Sequence, residues 1–283
     1  MNDAAKPFLE ADAEVAEAID FINYYALHFQ HLIEKKHITW SAKGPCLVAS
    51  PWNFPCAIAT GQLVAALITG NTVIFKPSPQ TPWIGWEVAK LFWQAGFSKH
   101  VLQFINCQDS PFGTQLIKDT RIKQMLLTGA TQTAQKVSNL RPEINLIAET
   151  GGKNSIIVTE LADKDLAIKD IIQSAFGYSG QKCSAASIAI LDTVLFNDTT
   201  FLEQLKHATQ SLPIGPVWQP ETVITPLVKP SHILKKALRA LNEGESWLLK
   251  PKQDPNNPFL WSPGIKKRDR KSTRLNSSHQ IIS

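Results

Sequence analysis

Cysteine is scarce in this chain. Only four occur in 283 residues, Cys46, Cys56, Cys107 and Cys183, at unrelated spacings. That usage argues against the disulfide framework of a small secreted domain and fits a reducing cytoplasm. Long apolar runs are missing as well. No stretch of about 18 uncharged apolar residues appears, so the sequence predicts no transmembrane helix and no membrane partner. Met1–Glu10 has neither a basic start nor an apolar core, so no secretory signal is expected there, and an Arg-rich, acid-poor transit peptide is absent. No G-x-G-x-x-G occurs, which removes the ordinary Rossmann fingerprint. His100 and His207 lie in no recognisable motif, which argues against a cysteine hydrolase needing a partner base. Nothing in the pattern calls for a metal.

A basic surface is missing from the body of the chain. The net charge is +5, which would suggest a polyanion partner until the charges are located. Lys266, Lys267, Arg268, Arg270, Lys271 and Arg274, set against Asp269, hold the whole excess and leave residues 1–265 neutral. Nucleic-acid binding needs a basic face on the folded body, so no such partner is expected. Lys266–Ser283 also shows no helical or strand periodicity. Its run from Asp269 to His279 is similar to one reading frame of a common sequencing-library adaptor. The expectation is that native sequence stops near Ile265 and that residues 266–283 add nothing to a core.

What is present is a composition of 43% apolar and 19% charged residues, suited to a globular protein long enough for two domains. Glu10–His31 reads as an amphipathic helix with Val15, Ile19, Ile22 and Ala26 on one side. Strands then alternate with helices: Cys46–Ser50, Ile58–Ile68, Thr72–Lys76, Trp83–Ala95, Val101–Ile105, Pro111–Lys118, Gln124–Leu127 and Thr131–Asn139. Such alternation implies βαβ units and a parallel, doubly wound sheet of the nucleotide-binding kind. A second unit is expected to start near Asn145. It has strands Asn145–Ala148 and Ser155–Val158, helix Asp165–Phe176, an extended Ser187–Leu195, and helices Asp198–Ser211 and Ser231–Asn242. The predicted fold is therefore α/β, with residues 1–144 as N-terminal helix and dinucleotide-binding domain and 145–265 as a second α/β domain, which the resemblance given below implies is catalytic and incomplete.

Two motifs carry chemistry. In Tyr178–Ser179–Gly180–Gln181–Lys182–Cys183–Ser184, Gly180 permits a tight turn that presents a sulfur, and a thiolate is a strong nucleophile. In Glu149–Thr150–Gly151–Gly152–Lys153–Asn154, a carboxylate ends a strand just before two glycines, where it could serve as a base. Most isolated cysteines are buried hydrophobes and most lone glutamates are solvated. Cys46 and Cys56 keep that plain reading, and Cys107 has no assigned role. It is the two contexts together that mark Cys183 and Glu149.

Those strings, with Pro51–Trp52–Asn53–Phe54–Pro55, Phe75–Lys76–Pro77–Ser78 and Leu127–Thr128–Gly129–Ala130–Thr131, closely resemble the aldehyde dehydrogenase superfamily. The resemblance covers roughly Glu10–Ile265. It implies that Cys183 is the nucleophile, Glu149 the base that activates water, and Asn53 an oxyanion-hole donor. It further implies that Lys76, with Ser78, Gly129 and Trp52, binds the cofactor, NAD with NADP as the alternative. Two positions depart from the common pattern: Ala130 stands where many members have a phosphate-contacting serine, and Pro79 where many have a ribose-binding glutamate.

Within the superfamily, Glu17–Ala18–Ile19–Asp20–Phe21, the Cys183 string and Leu260–Trp261–Ser262–Pro263–Gly264–Ile265 are most similar to the L-glutamate γ-semialdehyde (Δ1-pyrroline-5-carboxylate) dehydrogenases. These occur alone or fused to proline dehydrogenase in proline utilisation A proteins. The implied substrate is a small aldehyde, with Ser184 on its carboxylate and Glu17 near its amino group. The implied setting is a cytoplasmic homo-oligomer or such a fusion. The alternatives are a dehydrogenase for another aldehyde, including one that passes its thioester to coenzyme A, and an inactive fragment, since members of the family continue past Ile265.

Overall fold

The computed structural model describes residues 1–268. They divide into two compact units, Glu10–Gly151 and Met1–Leu9 with Gly152 onward.

In the first unit five short strands form one parallel sheet: β1 (Cys46–Ala49), β2 (Val73–Lys76), β3 (Leu102–Phe104), β4 (Gln124–Gly129) and β5 (Asn145–Thr150), in the order β3-β2-β1-β4-β5. Helices α2 (Ala57–Ile68), α3 (Pro82–Gln94), α4 (Thr114–Lys118) and α5 (Thr131–Leu140) make the crossovers. Strand β1 is apolar on both faces, as a central parallel strand must be. Cys46 and Val48 join a core with Leu63, Phe75 and Val88, while Leu47 joins another with Met125, Leu127 and Val137. Because β1 pairs with both β2 and β4, the sheet grows in opposite directions from it. The loops after β1 and β4 therefore flank a topological switch point, where doubly wound sheets bind ligands.

The N-terminal helix α1 (Phe8–Ile33) is present, but its buried side is not the expected one. Val15 and Ile19 are about half exposed, at 54% and 55%, whereas Glu14 and Ala18 are buried and Phe21, Tyr25 and Phe29 partly so. The reason is polar. Glu14 Oε1 accepts hydrogen bonds from the backbone N–H groups of Cys56 at 2.7 Å and Ala57 at 3.1 Å. A buried carboxylate thus caps the start of α2, whose first N–H groups have no partner within the helix. Satisfying them sets the rotation of α1 ahead of the apolar stripe.

The second unit begins with a βαβ crossover. Strands β6 (Asn154–Val158) and β7 (Ala186–Leu191) pair in parallel and are joined through helix α6 (Lys164–Phe176) and the cysteine turn. Val158, Ile171, Phe176, Leu195 and Phe201 fill its core, with α8 (Thr199–Gln210) packed alongside.

Several boundaries differ from expectation. The strand from Asn145 extends to Thr150 and adds to the first sheet, so it does not open the second unit. The extended stretch after Ser187 stops at Leu191, because Asp192 accepts from Val194 N–H at 3.1 Å and starts helix α7 (Thr193–Asn197). Helix α9 (His232–Ala237) is half its predicted length. Residues Asp109–Gly113 form a wide turn with Ser110 extended, not the first turn of a helix.

One antiparallel pair was not foreseen. β8 (Glu245–Leu249) pairs with β9 (Ile265–Arg268), so Lys266, Lys267 and Arg268 form a strand where the sequence showed no strand periodicity. Lys266 Nζ donates to Glu245 Oε2 at 3.1 Å and to the Ala240 carbonyl at 2.8 Å, with both side chains buried. The remainder of the adaptor-like run, from Asp269, lies outside the described residues.

Candidate active site

The turn carrying Cys183 is built from left-handed backbone. Tyr178, Ser179 and Gly180 take φ of 53°, 55° and 68° in succession. Only Gly180 does so without cost; a side-chain-bearing residue loses about 1–2 kcal/mol there. Side chains hold the strained pair in place. Ser179 Oγ donates to the Thr225 carbonyl and accepts from Thr225 N–H, each at 2.8 Å and buried. The Tyr178 hydroxyl donates to the Ala4 carbonyl, and Lys6 lies over its ring. Gln181 Oε1 accepts from Val228 N–H at 3.0 Å. Strain fixed by its surroundings is a mark of functional sites.

Beyond the turn the chain reaches Cys183 and Ser184, both exposed. Asn154 Nδ2, at the start of β6, donates to the Cys183 carbonyl at 2.7 Å and to the Ala185 carbonyl at 3.2 Å. The cysteine backbone is thus clamped while its sulfur faces solvent. Cys46 is the opposite case. It is fully buried in β1, and that burial pushes its thiol up to about 11, with only partial relief from a Gln124 hydrogen bond. All four cysteines are free thiols.

In the first unit, most of the predicted residues gather at the carboxyl ends of the sheet. Trp52 and Asn53 lie half-buried in the turn between β1 and α2, the turn that Glu14 caps. Lys76 ends β2 and is buried. Ser78 follows it, but its hydroxyl is bonded to Gln80 Oε1. Gly129 ends β4, and α5 begins just after it with no side chain capping its N-terminus. Glu149 sits in edge strand β5 opposite Thr128, with its side chain exposed. Gln62 on α2 reaches the same region, donating to Thr128 Oγ1 at 2.9 Å. Gln62 Oε1 and Ser50 Oγ, just after β1, are buried without a hydrogen-bond partner, which is uncommon enough in a native interior to need a reason.

The model of the aldehyde dehydrogenase family matches residues 1–275. The chain belongs to the aldehyde dehydrogenase family. A 1-pyrroline-5-carboxylate dehydrogenase of Geobacillus sp. (strain WCH70) is 36% identical over 271 residues, 87% of this chain and 52% of the relative. Proline utilization A from Corynebacterium freiburgense superposes with a TM-score of 0.92 at 38% identity, over 99% of this chain and 29% of that one. The 1-pyrroline-5-carboxylate dehydrogenase from Thermus with bound NAD gives a TM-score of 0.81 at 31% identity, over 92% of this chain and 54% of that one. The chain spans about half the length of the curated relatives it matches.

Within this aldehyde dehydrogenase chain, Asn53, Lys76, Gly129 and Glu149 share one end of one sheet, and Cys183 and Ser184 share one turn. Glu17 lies on the exposed side of α1, and the buried α1 carboxylate is Glu14. Sequence reasoning overlooked Asn154, Ser179 and Gln181 as the clamps of the cysteine turn. All three stood inside the strings that carry the family resemblance, so the signal was present without a geometry to assign it.

Proposed function

We propose that this chain carries the catalytic groups for NAD-dependent oxidation of L-glutamate γ-semialdehyde to L-glutamate. The Cys183 thiolate adds to the aldehyde carbon and forms a thiohemiacetal. The Asn53 side-chain amide and the Cys183 backbone N–H donate to the oxyanion, each such donor being worth about 2.7–4 kcal/mol in the transition state. Oxidation leaves a glutamyl thioester on Cys183. Glu149 then takes a proton from the water that hydrolyses it, and glutamate departs. The Ser184 hydroxyl receives the substrate carboxylate and Glu17 its amino group. A site built around such a polar contact rejects aldehydes that lack the acid.

The donor set at the sheet's carboxyl end fits a dinucleotide. Lys76 offers an ammonium to ribose, and the uncapped start of α5 after Gly129 offers N–H groups to a pyrophosphate. Trp52 and Ser78 line the neighbouring turns, and the unpartnered atoms of Ser50 and Gln62 mark a polar site at the switch point. When bound, NAD supplies the hydride acceptor. NAD is preferred to NADP in this reading, in keeping with the NAD-bound Thermus relative. A cytoplasmic setting, as a homo-oligomer or joined to a proline dehydrogenase, goes with the same reading. No helix among the described residues is long and apolar enough to cross a membrane.

The observation that carries the proposal is the exposed Cys183 on a strained and clamped turn, in a chain of this family. Steady-state NADH formation tests it. L-Glutamate γ-semialdehyde should exceed simple aliphatic aldehydes in kcat/KM by about a hundredfold or more. Equal rates would overturn the substrate assignment, and no turnover of any aldehyde would favour the inactive-fragment reading.

A further inference from the structure

Lys76 and Asp109 stand together beyond the ends of adjacent strands. Lys76 closes β2, and Asp109 lies on the turn that follows β3. Lys76 Nζ donates to Asp109 Oδ1 at 2.7 Å. The pair is unequally buried: the lysine side chain is 10% exposed and the aspartate 74%. Asp109 Oδ2 has no hydrogen bond among the described residues. A positive charge is therefore held inside the sheet end while a carboxylate beside it stays open to a ligand.

The turn under Asp109 is ordered by its own bonds. Gly113 N–H donates to the Gln108 carbonyl at 3.0 Å, and Thr114 Oγ1 donates to the Asp109 carbonyl at 3.2 Å. It also lies directly on the lysine stem: a Cβ at Gly113 would come within 3.4 Å of Lys76 Cε. The carboxylate is thus placed by packing against Lys76. The loop after β2 offers little competition. Pro79 has no polar side chain, and the Ser78 hydroxyl is occupied by Gln80.

We propose that Asp109 is a nucleotide-binding residue, accepting a hydrogen bond from the ribose that Lys76 holds and selecting NAD over NADP. This rests on the cofactor reading above. A vicinal diol needs both a donor and an acceptor, and an ammonium beside a carboxylate supplies them. Doubly wound sheets commonly meet the ribose 2′-hydroxyl of NAD with an Asp or Glu. A 2′-phosphate in the same place would face like charge, and such repulsion is an effective way to exclude a near-identical ligand.

Equilibrium binding of NAD and NADP, read by tryptophan fluorescence quenching and titration calorimetry, tests the assignment without depending on turnover. Asp109→Asn keeps the shape and removes the charge. It should weaken NAD about tenfold, the scale of one hydrogen bond to a charged group, while NADP binds more tightly. Asp109→Glu should restore the preference for NAD in part. Thermal melts read separately the cost of removing the charge beside the buried Lys76 ammonium, which should be larger for Asp109→Asn than for Asp109→Glu. If Asp109→Asn leaves NAD affinity unchanged, or shifts both nucleotides equally, Asp109 is a structural partner of Lys76 and the proposal is wrong. If the unsubstituted protein binds neither nucleotide, the cofactor reading fails along with it.

Discussion

The side-chain amide of Asn154 donates to the backbone carbonyl of Cys183 at 2.7 Å, across the βαβ unit that joins β6 to β7. A residue at the start of one strand thereby fixes the backbone of Cys183, the proposed nucleophile, at the mouth of the next. Asn154→Ala removes that clamp and the bond to Ala185. The bond to the exposed Cys183 is replaceable by water while Ala185 is buried, so the stability cost should be about 1–2 kcal/mol. The cost to kcat should be about tenfold or more, because a small misplacement of the reacting group is amplified in rate. Stopped-flow turnover beside a denaturant melt separates the two effects.

The thiols should differ sharply in reactivity. Cys183 is exposed, whereas burial holds the Cys46 thiol up at about 11. Iodoacetamide at pH 8 should label Cys183 in the native protein and leave Cys46 untouched until denaturant is added. Peptide mapping by mass spectrometry reads both. Labelling of Cys46 in the folded protein would contradict its place in the β1 core.

Ser179→Ala should be costly for a surface-sized change. It leaves the buried N–H and carbonyl of Thr225 without the partner they have at 2.8 Å, and it keeps the left-handed backbone without its support. Unsatisfied buried groups cost about 1–3 kcal/mol each, so a loss of about 2 kcal/mol is expected in chemical denaturation. Ser179→Gly relieves the backbone strain and should lose less.

The Glu245–Lys266 pair gives a pH signature. Burial pushes the Glu245 carboxyl up, but hydrogen bonds from the Asn242 backbone and side chain and from Lys266 outweigh it and hold the group below its usual range. A depressed carboxyl stabilises the fold above its unfolded value of about 4.3. That contribution is lost as pH falls through the lower folded value. Stability should therefore drop on acidification below about pH 4, and Glu245→Gln should flatten that part of the profile. Lys266→Ala removes the ion pair but leaves the carboxylate its two bonds from Asn242, so it should cost about 1 kcal/mol at neutral pH.

The first sheet was legible in the sequence because its strands are short apolar runs closed by Pro51, Pro77 or a turn, with helices of ordinary length between them. Where most of the candidate site residues fall in the fold was legible because they sit in compact strings at the strand ends. Three features were not. The rotation of α1 was set by Glu14 capping α2, a long-range polar contact that an apolar pattern cannot register. Strand β9 was hidden because Lys266, Lys267 and Arg268 look like a solvated tail until Glu245, Trp247 and the Phe196 carbonyl and ring are placed beside them. The pairing of Asp109 with Lys76 went unnoticed because the two are remote in sequence.

The most direct test of the covalent chemistry is to trap it. Glu149→Gln, supplied with L-glutamate γ-semialdehyde and NAD, should reduce one equivalent of NAD and then stall, with a glutamyl adduct on the peptide containing Cys183. Cys183→Ala should show neither burst nor adduct. Normal aldehyde oxidation by Cys183→Ala, or an adduct mapped to another cysteine, would contradict it outright.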